Sequence, residues 1–154
     1  MRDFNEGDQK KKGARIQIQK NPGNLSEELL LQLEGAVKTS LKDGYLPCPV
    51  AWKIAKEYNV PKIAIGEIAD RLGVRVTNCQ LGCFKIEKTS YDKSVSKNIN
   101  GEVLNMLETL EEKEQLTCAR VFDLAQHFKL KPIVVASEIN AIGLKIYSCQ
   151  LGCF

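Results

Sequence analysis

Histidine is nearly absent from this chain of 154 residues, with His127 standing alone, so acid-base catalysis would need carboxylates or lysines in a cleft that the sequence does not announce. No apolar run approaches the roughly 18 residues that a membrane-spanning helix needs, which argues against a membrane partner. A Gly-rich phosphate loop, a Gly-x-Ser-x-Gly elbow and a His-Glu-x-x-His pair are all missing, and no catalytic constellation emerges. The expectation is a protein that is not an enzyme. The first six residues, Met1-Arg2-Asp3-Phe4-Asn5-Glu6, are charged and carry no apolar core of a leader, so a reducing cytoplasm is the expected compartment.

What is present is a balanced globular composition, 44% hydrophobic and 27% charged, with a net charge of +3. The charge is unevenly spread: residues 1–27 carry +2, 28–84 carry +1, 85–97 carry +2 and 98–154 carry −2. The basic excess therefore sits in a lysine-bearing tail and a linker. Lys10, Lys11 and Lys12 beside Gly7 and Gly13 read as a solvated, flexible tail over residues 1–25, with one short alternating strand at 15–19.

The most informative pattern is a repeat. Cys79-Gln80-Leu81-Gly82-Cys83-Phe84 returns letter for letter as Cys149-Gln150-Leu151-Gly152-Cys153-Phe154, 70 positions later. The same offset superposes Leu46 on Leu116, Cys48 on Cys118, Ala55 on Ala125, Ile63 on Ile133 and Gly73 on Gly143. Of 39 aligned positions from Leu46 to Phe84, 11 are identical, and six of those form the hexapeptide. Core packing alone tolerates exchange among apolar residues of similar volume. An unchanged polar, thiol-bearing hexapeptide between otherwise drifted copies signals a further demand.

Helical spacing and caps divide each copy into three helices and a strand. Ser26 caps a helix with Glu27 and Glu28 in its first turn and Leu29, Leu30, Leu33, Val37 and Leu41 on one face, stopped by Gly44. Pro49 opens a second helix through residue 58, a third runs over 62–72 to Gly73, and residues 74–78 alternate as a strand. A polar linker at 85–97 separates the copies. The second copy then repeats the order, with helices over 99–112, 119–128 and 132–142 and a strand at 144–148; Val103, Met106, Leu107 and Leu110 face inward on the first. Trp52 and Phe122 align and read as core, and His127 as solvent-facing. The domains are thus residues 26–84 and 98–154.

From Ala51 to Asp70, the residues Ile54, Ala55, Tyr58, Val60, Ile65 and Ile68 hold the spacing at which small and apolar side chains are buried between two helices joined by a tight turn. That stretch resembles the helix-turn-helix and winged-helix families. Asn59 stands at the turn, where the family usually has a left-handed Gly; in the second copy Leu124, Ala125, Phe128, Leu130 and Val135 match, with Lys129 at the turn and Glu138 in place of the last apolar residue. The resemblance implies a mainly α fold of two tandem tri-helical repeats, each followed by a short β-strand. It also implies double-stranded DNA as partner, read by the third helix from the major groove. The residues placed for that role are Lys62, Arg71 and Arg75 in the first copy and Lys131, Asn140 and Lys145 in the second. Duplication within one chain would supply the approximate two-fold that such proteins obtain by dimerising.

All six cysteines follow the repeat, as Cys48, Cys79 and Cys83, then Cys118, Cys149 and Cys153. Cys-x3-Cys with a third thiol at a helix start falls within spacings used for zinc, and a helix N-terminus favours the thiolate. Zinc or an iron-sulfur group, a redox pair, and plain buried thiols with no cofactor all remain open readings. The function expected is a DNA-binding transcriptional regulator acting as an intramolecular pseudo-dimer, tuned by thiol redox state or metal. The alternative is a metal or iron-sulfur accessory protein whose helical modules contact a protein partner.

Overall fold

The structure, a computed structural model, describes residues 5–83, 101–113 and 116–154; the linker expected at 85–97 lies outside them. Among the described residues, seven helices and one two-stranded sheet are formed in the order α1 (Glu6–Gly13), α2 (Glu27–Thr39), β1 (Tyr45–Pro47), α3 (Cys48–Glu57), α4 (Lys62–Arg71), β2 (Arg75–Thr77), α5 (Gly101–Lys113), α6 (Cys118–His127) and α7 (Pro132–Ala141). The fold is mainly α, as expected.

Local chemistry explains the boundaries. The Ser26 hydroxyl accepts the Leu29 N–H at 3.3 Å and starts α2, with Glu27 and Glu28 at the positive end of its dipole. The helix stops at Thr39, short of Gly44, and the chain reverses through Asp43 and Gly44, both left-handed (φ 50° and 82°). Lys42 and Tyr45 exchange backbone bonds of 2.8 and 2.9 Å across that turn, the pattern an Asp-Gly pair favours. This releases residues 45–47 as a strand that periodicity does not announce. β1 pairs in parallel with β2, Tyr45 opposite Arg75, Leu46 opposite Val76 and Pro47 opposite Thr77, and the parallel sense follows because α3 and α4 form the crossover.

The two copies repeat in register. α3 and α6, and likewise α4 and α7, have bounds offset by 70 residues. Each of the four ends in a Schellman motif: Val60 N–H donates to the Ala55 carbonyl (2.9 Å) and Leu130 to Ala125 (2.8 Å), while Val74 donates to Ala69 (2.8 Å) and Leu144 to Ile139 (3.0 Å). The left-handed residues that these motifs demand also pair by position: Asn59 with Lys129 (φ 52° and 54°) and Gly73 with Gly143 (φ 67° and 80°). Asn78 with Ser148 and Gly82 with Gly152 continue the series beyond the helices.

The chain divides into two compact units, each described by itself. Unit 1 comprises Met1–Cys79 and Gln150–Phe154, with Leu33, Val37, Leu46, Ile65, Ile68 and Leu151 fully enclosed. Unit 2 comprises Gln80–Cys149, with Val103, Leu107, Val121, Val135 and Ile139 fully enclosed and Leu81 3% exposed. Each such aliphatic side chain contributes about 1.5–3 kcal/mol on burial. The unit boundaries fall inside the two hexapeptides at equivalent positions.

Five sequence expectations need correction. Residues 6–13 are helical where a flexible tail is expected: Asn5 caps α1 through a reciprocal box with Asp8, and Glu6 and the lysines lie at the dipole ends that suit them. Residues 15–19 form no strand. The strand expected at 144–148 shrinks to a single parallel bridge, Thr117 to Tyr147, in which Tyr147 N–H donates to Leu116 (2.7 Å) and Cys118 N–H to Tyr147 (2.9 Å). Met106 points outward at 40% exposure while Val103 and Leu107 are buried; Leu110 lies outside the described side chains. Trp52 and Phe122 are half-buried rather than core, and His127 is exposed, its ring edge-on to Phe128.

Candidate nucleic-acid interface and thiol pairs

The third helix of each copy carries the residues expected to meet DNA, and the two differ in what surrounds them. On α4, the Lys62 ammonium lies 3.9 Å over the Trp52 ring and donates to the Gln150 side-chain carbonyl at 2.8 Å. Arg71 pairs with Glu34 of α2 at 2.8 Å and, more loosely, with Glu67 at 3.7 Å. Arg75, at the start of β2, pairs with Asp8 of α1 at 3.0 Å. All three basic side chains are thus engaged by partners in their own unit.

α1 reinforces this enclosure. Lys12 donates to both carboxylate oxygens of Asp70 at 2.6 Å, and the Gln9 amide donates to the Asp70 backbone carbonyl at 3.3 Å. Burial pushes the Asp70 carboxyl above its ordinary value of 3.8; the hydrogen bond and positive charge of Lys12 oppose that rise without cancelling it. Between the N-terminal arm and α4 lies a cleft of about 520 Å³, with Ile16 and Ile18 on one wall and Glu67, Asp70 and Arg71 on the other. Sequence reasoning missed Asp8, Gln9 and Lys12 because a capping box in a short lysine-rich stretch resembles a tail until its tertiary partners are known.

On α7 the arrangement is open. Lys131 at its N-cap, Asn140 in its last turn and Lys145 beyond it are all exposed. Among the described residues, neither Lys131 nor Lys145 forms an ion pair. Glu138 is half-exposed on the same helix and dilutes the positive face.

The hexapeptide explains a second residue that the sequence hides. Gly66 sits inside α4, where Gly is about 1 kcal/mol worse than Ala. A Cβ at Gly66 would overlap the Leu151 backbone carbonyl. At Gly152, left-handed at φ 68°, a Cβ would be strained and would meet the ends of Ile18 and Ile63. Gln150, Leu151 and Gly152 thus seat directly on α4, held by the Lys62 bond, an enclosed leucine and two glycines that permit close approach. The signal was available as a glycine in mid-helix aligned with Ala136.

All six cysteines are thiols. Cys48 and Cys118 head α3 and α6 and are each 5% exposed, and Cys79 is 6% exposed. The parallel register places Cys48 one residue beyond Pro47 and Cys79 two beyond Thr77, so the first copy's helix start and strand end lie side by side; the bridge from Thr117 to Tyr147 does the same for Cys118 and Cys149. By membership, Cys48, Cys79 and Cys153 fall in unit 1 and Cys83, Cys118 and Cys149 in unit 2. Among the described residues, no group of three or more His, Cys, Asp or Glu side chains is gathered as metal ligands.

No helix among the described residues is long and apolar enough to cross a membrane. No protein family, curated protein or solved structure matches the chain.

Proposed function

We propose that this chain is a DNA-binding regulator of transcription, acting in the cytoplasm as a covalent pseudo-dimer of two helix-turn-helix modules. The observation that carries the reading is the doubled pair of ten-residue helices, each pair joined through a left-handed residue, Asn59 or Lys129, that ends the first helix. In this reading α7 makes the principal contacts. Lys131 and Lys145 meet phosphates, Asn140 stands where an amide can pair with an adenine edge, and Lys62, Arg71 and Arg75 join only if their internal partners let go. The paired thiols near the starts of α3 and α6 give the module a redox-sensitive element.

The test is a salt titration of the intact chain on a mixed-sequence duplex, followed by fluorescence anisotropy. Lys131→Ala and Lys145→Ala are each expected to lower the slope of log K against log salt by about one, with Arg71→Ala changing it less. Absence of binding at low salt, or an unchanged slope in both lysine variants, removes the reading.

A second reading, a helical accessory protein that contacts another protein, draws on a separate feature. Unit 2 carries a cleft of about 400 Å³ lined by Met106, Leu124 and His127, with Met106 40% exposed. Met106→Glu should then abolish partner capture while leaving DNA affinity unaltered.

A further inference from the structure

We propose that the face of α4 bearing Gly66 and Lys62 is a socket for the segment Gln-Leu-Gly-Cys-Phe, and that a second copy of this chain can fill it. The socket is specific in each part. Gly66 leaves the space that the Leu151 carbonyl occupies, Leu151 is fully enclosed, the Lys62 ammonium takes the Gln150 side chain at 2.8 Å, and Gly152 leaves the space that the ends of Ile18 and Ile63 occupy. A helix that keeps a glycine at its own expense, at the one point where an outside carbonyl arrives, is shaped for that occupant.

The identity of the partner follows from two facts. First, the same five residues stand twice in the chain, at 80–84 and 150–154. Second, neither stretch belongs to the unit built by the helices just before it: Gln80 opens unit 2, and Gln150–Phe154 returns to unit 1. A segment that already docks on a body formed by distant sequence needs no new contact to dock on the same body in another molecule. Only the effective concentration differs, and that difference is what exchange of identical elements between protomers trades on. The C-terminal copy of the hexapeptide is thereby explained as a plug, and the socket is particular to α4, since α7 carries Pro132 and Ala136 where α4 carries Lys62 and Gly66.

Two variants of the full chain test this by complementation. Gly66→Val blocks the socket and leaves a competent C-terminal plug; Leu151→Asp spoils the plug and leaves a competent socket. Each alone should sediment as a monomer of 17.2 kDa, and an equimolar mixture should yield a species of twice that mass. The double variant should pair with neither. A labelled Cys-Gln-Leu-Gly-Cys-Phe peptide should bind Leu151→Asp at least tenfold more tightly than the parent chain, whose socket is filled. Circular dichroism verifies folding, and Leu151→Ala replaces Leu151→Asp if helicity is lost. As an independent measure, parent chain refolded at about 1 mM should contain a dimer that refolding at about 1 µM lacks, since trans docking must compete with a tethered plug at millimolar effective concentration. A mixture of folded variants that stays monomeric, a peptide that does not distinguish variant from parent, or refolding without dimer at either concentration overturns the proposal.

Discussion

The helix pairs α3–α4 and α6–α7 have the same bounds at the 70-residue offset and differ in their surroundings, and the difference falls on the third helix. In the first copy, positions 66, 70 and 71 hold Gly, Asp and Arg; in the second, 136, 140 and 141 hold Ala, Asn and Ala. Each first-copy residue answers something outside its helix: Gly66 the Leu151 carbonyl, Asp70 the Lys12 ammonium, Arg71 the Glu34 carboxylate. The second-copy residues at 140 and 141 are exposed and uncharged. The strands differ in the same sense, with Thr77 4% exposed and its counterpart Tyr147 45% exposed. Divergence between the copies thus follows what each helix must face, while the bounds of α3 and α4 against α6 and α7, and the left-handed positions after them, have stayed in register.

The largest expected effect falls on the hexapeptide leucines, which are buried in both copies. Leu151 is 0% exposed in unit 1 and Leu81 is 3% exposed in unit 2. Leu151→Ala and Leu81→Ala should each cost about 2–5 kcal/mol, the range for emptying an enclosed leucine site. Urea unfolding of each variant measures this. A loss well under 1 kcal/mol for either would mean that its hexapeptide lies on the surface.

Much of this was legible beforehand, for a definite reason. The helices of each copy follow from local signals: Ser26, Pro49, Gly73, Gly143 and apolar spacing set their ends to within a few residues, and the 70-residue offset carried one copy's reading onto the other. What stayed hidden depends on partners far along the chain. α1 is stabilised by Asp8 with Arg75 and Lys12 with Asp70, pairs about 60 residues apart or more. β1 exists because β2 returns to it. The Cys-x3-Cys spacing suits a ligand set, yet the unit boundaries fall between its two thiols in both copies. Spacing along a chain says nothing about which body a turn delivers it to.

A smaller effect sharpens the comparison at the glycine. Exchanging the copies' residues should hurt in both directions. Ala136→Gly gives up helix propensity and a buried methyl, about 1–2 kcal/mol. Gly66→Ala gains about 1 kcal/mol in propensity but forces a backbone carbonyl to move, and overpacking of that kind costs about 1–3 kcal/mol, so the net loss runs up to about 2 kcal/mol. Chemical unfolding of both variants decides the matter. If Gly66→Ala is more stable than the parent, the seat for Leu151 on α4 is misplaced and the asymmetry between copies has another origin.

The smallest effect concerns Asp70 and its uncharged counterpart Asn140. Burial raises the folded-state pKa of Asp70 above 3.8, so the folded chain holds this proton more tightly than the unfolded chain does. For an acid shifted upward, the contribution to stability is fully present below the unfolded value and is lost as pH rises through the folded value. Asp70→Asn, which makes the first copy resemble the second, should therefore remove a decline in stability across the mildly acid range just above 3.8. Removing Lys12 should enlarge that decline, because its hydrogen bond and charge are what hold the shift in check. Unfolding midpoints of the parent, Asp70→Asn and Lys12→Met across that range give the comparison. A parent chain that gains stability relative to Asp70→Asn as pH rises from 3.8 would show that Lys12 outweighs burial. α1 would then clasp α4 through a favourable ion pair, where the proposed balance has it screening a carboxylate that the fold disfavours.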